Sequence, residues 1–309
     1  MSKHTFGQWV FALRPWSIPA SAMPIIVTIA FLFYKYGSGI DWLMGAWTLV
    51  GMILFHLAGN VWSDYFDYKK KVDAEDTYGA SALTTGMFQP KEILRLAIAL
   101  LVVSLICGFG LAAVTIIKGY GLNLLWIGLA GAVLTIGYPF LKYHALGDLN
   151  IILCFAVLPT LGTSLTTIGI LDWNVLWVAF PVGLITDAIL HANNTRDIEF
   201  DKRANIKTMA MKMGNKVSAV IYNVEMVLPF VWVGVLSILG ILPYTTVFIF
   251  LTLPIALACV RTMRKTIETG HQMIADLDVR TANVQLLFSL ILTIGLIVGR
   301  FTSKIYVLY

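Results

Sequence analysis

The sequence predicts an all-α, polytopic membrane protein of about nine transmembrane helices, and two observations carry that expectation. Of its 309 residues, 58% are hydrophobic and only 13% charged, against about 45–50% and about 25% in ordinary soluble domains. The apolar residues also fall into runs of about 20, the length that crosses a hydrocarbon core. A soluble fold of this size buries a core but has no means of covering this much apolar surface, so the lipid bilayer is the expected partner and nucleic acid is not.

The runs lie near 18–36, 42–61, 93–115, 122–141, 147–168, 174–194, 215–240, 244–262 and 282–302. Pro139, Pro159 and Pro181 fall inside or at the ends of runs, which membrane helices tolerate because neighbours satisfy the freed backbone groups. Met1 to Arg14 is polar and basic, and the run after it is too long for the apolar part of a signal peptide, so it reads as the first membrane helix. Cys107, Cys154 and Cys259 sit in apolar runs at spacings that fit neither a zinc site nor a disulfide framework, and read as small buried hydrophobes. No linker or low-complexity segment interrupts the chain, and residues 1–309 are expected to form a single transmembrane domain.

Loops after runs 2, 6 and 8 are longer and charged, and with nine spans they share one side with the N-terminus. Of the 22 Lys and Arg residues, Lys35, Lys118, Arg300 and Lys304 fall on the far side and the other 18 on the near side. The positive-inside rule then places the N-terminus and long loops in the cytoplasm. The compact chain without a targeting extension suggests a bacterial plasma membrane.

More than half of the 17 acidic residues sit in two stretches, each at the end of an apolar run. One holds Asp64, Asp67, Asp73, Glu75 and Asp76; the other holds Asp187, Asp197, Glu199 and Asp201. Acids near membrane depth are costly and commonly functional. Asn193, Asp197 and Asp201 are spaced i, i+4, i+8, which aligns them on one helical face; Asn60 and Asp64 repeat the i, i+4 step, and Asp67 follows three residues on. Two such faces opposed would form a cage of hard oxygens suited to Mg²⁺, which is commonly held by one or two carboxylates together with substrate phosphate oxygens. Carboxylates repel a diphosphate, so a metal must bridge them, while Lys69, Lys70, Lys71, Arg196, Lys202 and Arg203 neutralise remaining phosphate charge. The lysine run also has a reading as a positive-inside anchor or anionic-lipid contact, His191 and Asp187 as a mutually satisfied i, i+4 pair, and either acidic stretch alone as a solvated helix end.

The segments RPWSIPASAMP (14–24), NVWSDYFDYKKKVD (60–73), LKYHALGDL (141–149) and ILHANNTRDIEFDKR (189–203) resemble those of the UbiA superfamily of intramembrane prenyltransferases. The resemblance spans most of the chain and implies nine helices enclosing a central cavity, with two Asp-rich motifs that bind Mg²⁺ and a prenyl diphosphate. Carried over residue by residue, it implies a first metal site of Asn60, Asp64 and Asp67 with Asp73 behind them. The second would comprise Asn193, Asp197 and Asp201, with Asn194 and Arg196 adjacent. Arg14 and Lys142 would contact phosphate or acceptor, and activity should depend most directly on Asp64 and Asp197. Within the superfamily, LKYxALGDL together with ILHxNNTRD is most similar to enzymes that prenylate 1,4-dihydroxy-2-naphthoate on the way to menaquinone and to their animal menaquinone-4-forming relatives. Two departures concern loop geometry: Asn205 and Ile206 stand where the family often has Gly and Lys, and Lys71 and Val72 precede Asp73 where it has Gly.

The implied reaction is electrophilic aromatic substitution. Mg²⁺ and nearby cations would stabilise the departing diphosphate, the ring would attack C1 of the polyprenyl chain, and CO₂ would leave from the naphthoate. Tyr65, Phe66, Tyr68 and Tyr138 are candidates to shield the developing cation, or interfacial belt residues. The same chemistry on another aromatic or lipid acceptor is the nearest alternative. An ion-coupled transporter is the alternative of another class, although transporter acids usually lie near the bilayer midplane rather than at one end.

Overall fold

Nine membrane-length helices alternate in direction through a computed structural model that describes residues 4–78, 81–269 and 274–302. They are α1 (Ile18–Tyr36), α2 (Trp42–Lys70), α3 (Pro90–Ile117), α4 (Asn123–Lys142), α5 (Gly147–Ile168), α6 (Trp173–Arg196), α7 (Met209–Ile238), α8 (Tyr244–Ile267) and α9 (Leu277–Thr302). Among the described residues there is no strand. Of the charge tally, Lys3 and Lys304 lie outside the described residues.

The bundle is apolar outside, and its largely apolar interior also carries buried hydroxyls and amides. Ile106, Val133, Phe140 and Ile238 are exposed on outer faces, whereas Ser21, Thr28, Thr163, Ser164, Thr166, Gln285 and Ser289 are buried between helices. Buried polar contacts of this kind suit a lipid environment, where helix association depends on close packing and hydrogen bonds. Thr163 and Thr167 satisfy their buried hydroxyls on carbonyls of their own helix. Trp42, Trp126 and Trp173 are exposed near the far ends of their helices, where indole rings favour a membrane–water boundary.

Helix boundaries depart from the apolar runs in informative ways. α2 runs nine residues past the apolar segment, to Lys70, because its last turns face protein cations rather than lipid. In α5, residues Ile152–Val157 form a π-helical turn that precedes Pro159; such turns recur at functional sites, and Asn150, Ile151, Cys154 and Phe155 around this one line the cavity described below. α7 breaks at Gly214 (φ 71°, ψ 166°), so its continuous part begins where the apolar run does.

α2 packs against α3, α6 against α7, and α9 against both α1 and α6. Gly295 and Gly299 of α9 form a GxxxG surface beneath the first turns of α8: a Cβ on Gly295 would lie 2.8 Å from the Thr245 carbonyl oxygen and 2.9 Å from Thr246 Cα. Backbone atoms cannot yield as a side chain can. Gly295→Leu should therefore lower stability by about 2 kcal/mol, read as a depressed thermal midpoint in detergent. Lys71 caps α2 in the left-handed region (φ 60°), where a side chain costs about 1–2 kcal/mol. Lys71→Gly should raise the midpoint.

Candidate active site

Five chain segments converge at the near end of the bundle, and buried charge draws them together. Asp64 lies on the inner face of α2 and is 7% exposed. Arg14 Nη1, from the segment before α1, donates to its Oδ1 at 2.9 Å. Asp67, one turn on, accepts from Lys142 Nζ at the end of α4 (3.0 Å), from the Tyr143 hydroxyl (2.7 Å) and from Ser63 Oγ (3.1 Å). The backbone of Lys207, after α6, donates to the Tyr143 carbonyl at 3.0 Å. Opposite, the Arg196 guanidinium makes two bonds of 2.8 Å to Asp197 and a third of 2.9 Å to Asp278 of α9. It also stacks 4.8 Å over the Tyr78 ring, and the α2–α3 loop is further tied across by Arg203 to Asp76 (2.7 and 2.8 Å).

These groups ring the mouth of a cavity of about 420 Å³. Of the predicted site residues, Lys69, Lys70, Lys71, Lys202 and Arg203 do not line it; Arg14, Asn60, Asp64, Asp67, Asp73 and Lys142 stand on one wall and Asn193, Asn194, Arg196, Asp197 and Asp201 on the other. Lys69 is nine residues past Asn60, about half a turn round the helix, and reaches over the outward Tyr65 ring instead. Arg203 is about half a turn from Asp201 and is spent on Asp76. Of the aromatic candidates, Tyr138 lines the cavity; Tyr65, Phe66 and Tyr68 do not.

The mouth carries six acids, Asp64, Asp67, Asp73, Asp197, Asp201 and Asp278, against three bases, Arg14, Lys142 and Arg196. Burial, reinforced by Asp67, pushes the Asp73 carboxyl up to about 7, and burial pushes Asp201 to about 7. Among the described residues no three Asp, Glu, His or Cys side chains converge as a ready-made metal cage. Instead, hard oxygens remain uncommitted: Asn193 Oδ1 and Asp201 Oδ2 are buried and find no hydrogen-bond partner among the described residues. An acid excess with spare amide and carboxylate oxygens fits Mg²⁺, which completes its shell with water and phosphate oxygens. It does not fit a bare anion.

Deeper in, the lining turns apolar: Met52, Phe55, Phe155 and Leu158, then Gly51, Gly108, Leu111, Leu124 and Ile127. Sequence reasoning missed Asp278, Tyr78 and His56, which the fold brings here from outside the motifs. It also paired His191 with Asp187. In the structure His191 Nδ1 instead lies 3.4 Å from Asp148 Oδ1 and 3.6 Å from Glu225 Oε1, in a buried cluster behind the cavity wall. The family's loop glycine is accounted for locally: Asn205 adopts φ 54°, a left-handed conformation that Asn tolerates better than most residues.

Fold and site together define a membrane-embedded helical protein whose cavity joins an acidic, cation-seeking mouth to an apolar interior. The UbiA prenyltransferase family model matches residues 23–275, and the chain belongs to that family. It is 33% identical over 294 residues to UbiA prenyltransferase domain-containing protein 1 of Gallus gallus, covering 94% of this chain and 85% of that protein. The apo structure of a UbiA homolog from Aeropyrum pernix K1 superposes with a TM-score of 0.65 at 13% identity, covering 91% of this chain and 97% of that one. A UbiA homolog from Archaeoglobus fulgidus bound to GPP and Mg²⁺ gives 0.57 at 14% identity, covering 92% and 99%.

The lattice of buried pairs makes a direct stability prediction. Lys142→Met would leave Asp67 without its cation and should cost up to about 3 kcal/mol, visible as a lower thermal midpoint. Lys69→Met, on the outer face, should leave the midpoint unchanged.

Proposed function

We propose that this protein transfers a polyprenyl group from a polyprenyl diphosphate to 1,4-dihydroxy-2-naphthoate, with loss of CO₂ and diphosphate, as a step of menaquinone biosynthesis. The observation that carries the reading is the meeting of two Asn/Asp faces, from α2 and α6, at the mouth of a cavity with an apolar interior. The mouth suits a metal-bound diphosphate and the interior suits a polyprenyl tail. The naphthoate acceptor rests on the NNTRD and LKYxALGDL segments; the relative's name specifies no acceptor. The Archaeoglobus homolog bound to GPP and Mg²⁺ supports the choice of donor and metal.

Asn60, Asp64, Asn193, Asp197 and Asp201 would hold Mg²⁺, with Asp67 and Asp73 beside them, and Arg14, Lys142, Asn194 and Arg196 would face the phosphate oxygens. The metal supplies Lewis-acid stabilisation of the leaving diphosphate. Arg14 and Lys142, locked on Asp64 and Asp67, hold fixed positive charge where negative charge develops. Tyr138, Phe55 and Phe155 surround the volume beneath the mouth and would shield an allylic cation from water. The whole chain, 1–309, would act as one domain. The charge asymmetry supports a cytoplasmic mouth. The relative reported above comes from an animal, so it lends no support to the bacterial plasma membrane expected from sequence.

The test is turnover of purified protein with 1,4-dihydroxy-2-naphthoate and geranylgeranyl diphosphate, with Mg²⁺ or EDTA, read by mass spectrometry. A decarboxylated, prenylated product that requires Mg²⁺ is expected. Prenylation of a different acceptor would discard the naphthoate assignment and keep the chemistry; no product across acceptors and chain lengths would favour the transporter. Asp64→Asn and Asp197→Asn should each lower kcat/KM by at least about 100-fold while the protein stays in the membrane. Carboxyls lifted to about 7 at Asp73 and Asp201 hold protons below that pH and release them above it. The Mg²⁺ concentration giving half-maximal rate should therefore rise as pH falls from about 8 to about 6, because protons compete for the ligands.

A further inference from the structure

His56 stands on α2 one helical turn inside Asn60 and lines the cavity between the polar mouth and the apolar interior. Its Nδ1 lies 2.8 Å from Ser21 Oγ, a fully buried hydroxyl of α1. Ser21 has one hydroxyl proton and donates it to the Ile18 carbonyl at 3.0 Å. With its proton on that carbonyl, Ser21 accepts from His56. In that arrangement the proton sits on Nδ1 and the lone pair on Nε2. The ring is held edge-on against Phe155, centroids 5.1 Å apart at 89°. Nε2 makes no hydrogen bond among the described residues, and unlike both His191 nitrogens it is not sealed from the cavity.

The apparent alternative is a histidine that only ties α2 to α1 through Ser21. That role uses Nδ1 alone. It explains neither the placement of a basic nitrogen in the cavity nor a hydroxyl arranged to fix the tautomer. A diphosphate at Asn60 and Asp64 with its tail in the apolar interior would place the reacting carbon about one helical turn below the mouth, at the depth of His56.

We propose that His56 Nε2 is the general base that takes the hydroxyl proton of the aromatic acceptor during prenyl transfer. The inference rests on the prenyltransferase reading above. As the C1–O bond of the donor breaks, its electron pair leaves with diphosphate. The acceptor O–H bonding pair becomes the carbonyl π pair, a ring π pair bonds the attacked carbon to C1, and the proton goes to Nε2, giving a dienone and an imidazolium. Where the attacked carbon bears a carboxylate, CO₂ departs, its bonding pair restores the aromatic ring, and the carbonyl oxygen recovers the proton from Nε2. No net proton is consumed and His56 returns to its starting tautomer.

His56→Asn tests this, because the amide keeps an N–H donor near the position of Nδ1 and deletes Nε2. With wild type active, kcat should fall about 10²- to 10⁴-fold for acceptors whose hydroxyl is neutral at the assay pH, with the donor KM little changed. For acceptors with electron-withdrawing substituents that are already ionised, the defect should shrink towards none. An equal loss for all acceptors, or no loss, in a protein with the wild-type thermal midpoint would overturn the assignment. If His56→Asn does not accumulate, His56→Ala assayed with added imidazole replaces it: restored turnover of neutral acceptors is expected, and no restoration overturns the proposal. Wild type that prenylates nothing sinks the prenyltransferase reading instead, so the two failures are distinct.

Discussion

Asp64 and Asp67 cannot be left buried at a membrane helix end without cations, and that requirement organises the near half of the molecule. An unpaired buried carboxylate costs several kcal/mol. The cations come from Arg14, before α1, and from Lys142, at the end of α4, so both elements must close over α2. Arg196 imposes the same constraint across the mouth by holding Asp197 of its own neighbourhood and Asp278 of α9. The far end is tied independently, by Lys35 to Asp172 and by Lys118 to Asp41, and by Arg300 to the Tyr34 carbonyl. Charge at both ends and small-residue packing between them leave a central space that no helix fills.

The pairing also explains the chemistry of the mouth. Three bases cannot neutralise six acids, so the site is short of positive charge even after every pair is made. A divalent cation would supply what is missing, and an anion entering with it would find Arg14, Lys142 and Arg196 already fixed in place. Preorganised charge of this kind needs no reorientation as a leaving group develops. The step from mouth to interior, polar to apolar within one or two helical turns, would fix a diphosphate and its tail in one direction only.

Much of this was legible in the sequence because it depends on local periodicity. The spans 18–36 and 147–168 coincide with α1 and α5, and the i, i+4 steps of Asn60–Asp64 and Asn193–Asp197 do face a common cavity. What failed was whatever depends on direction round a helix or on distant pairing. Lys69 and Arg203 are near the motifs in sequence and about half a turn away in space. α2 outruns its apolar segment because protein cations replace lipid as its surroundings. Asp278 lies some 80 residues from Arg196, and no local signal announces it. His56 reads as a solitary histidine in an apolar run until Ser21, on another helix, fixes which nitrogen is free.

The central claim is that the mouth binds a divalent metal and a diphosphate as one unit. Electron paramagnetic resonance of Mn²⁺, substituted for Mg²⁺, with a non-reacting prenyl diphosphate analogue tests it directly. The account predicts a protein-bound Mn²⁺ with resolved coupling to phosphorus, lost in Asp64→Asn and in Asp197→Asn. Bound Mn²⁺ without phosphorus coupling, or a coupled signal indifferent to both substitutions, would contradict it.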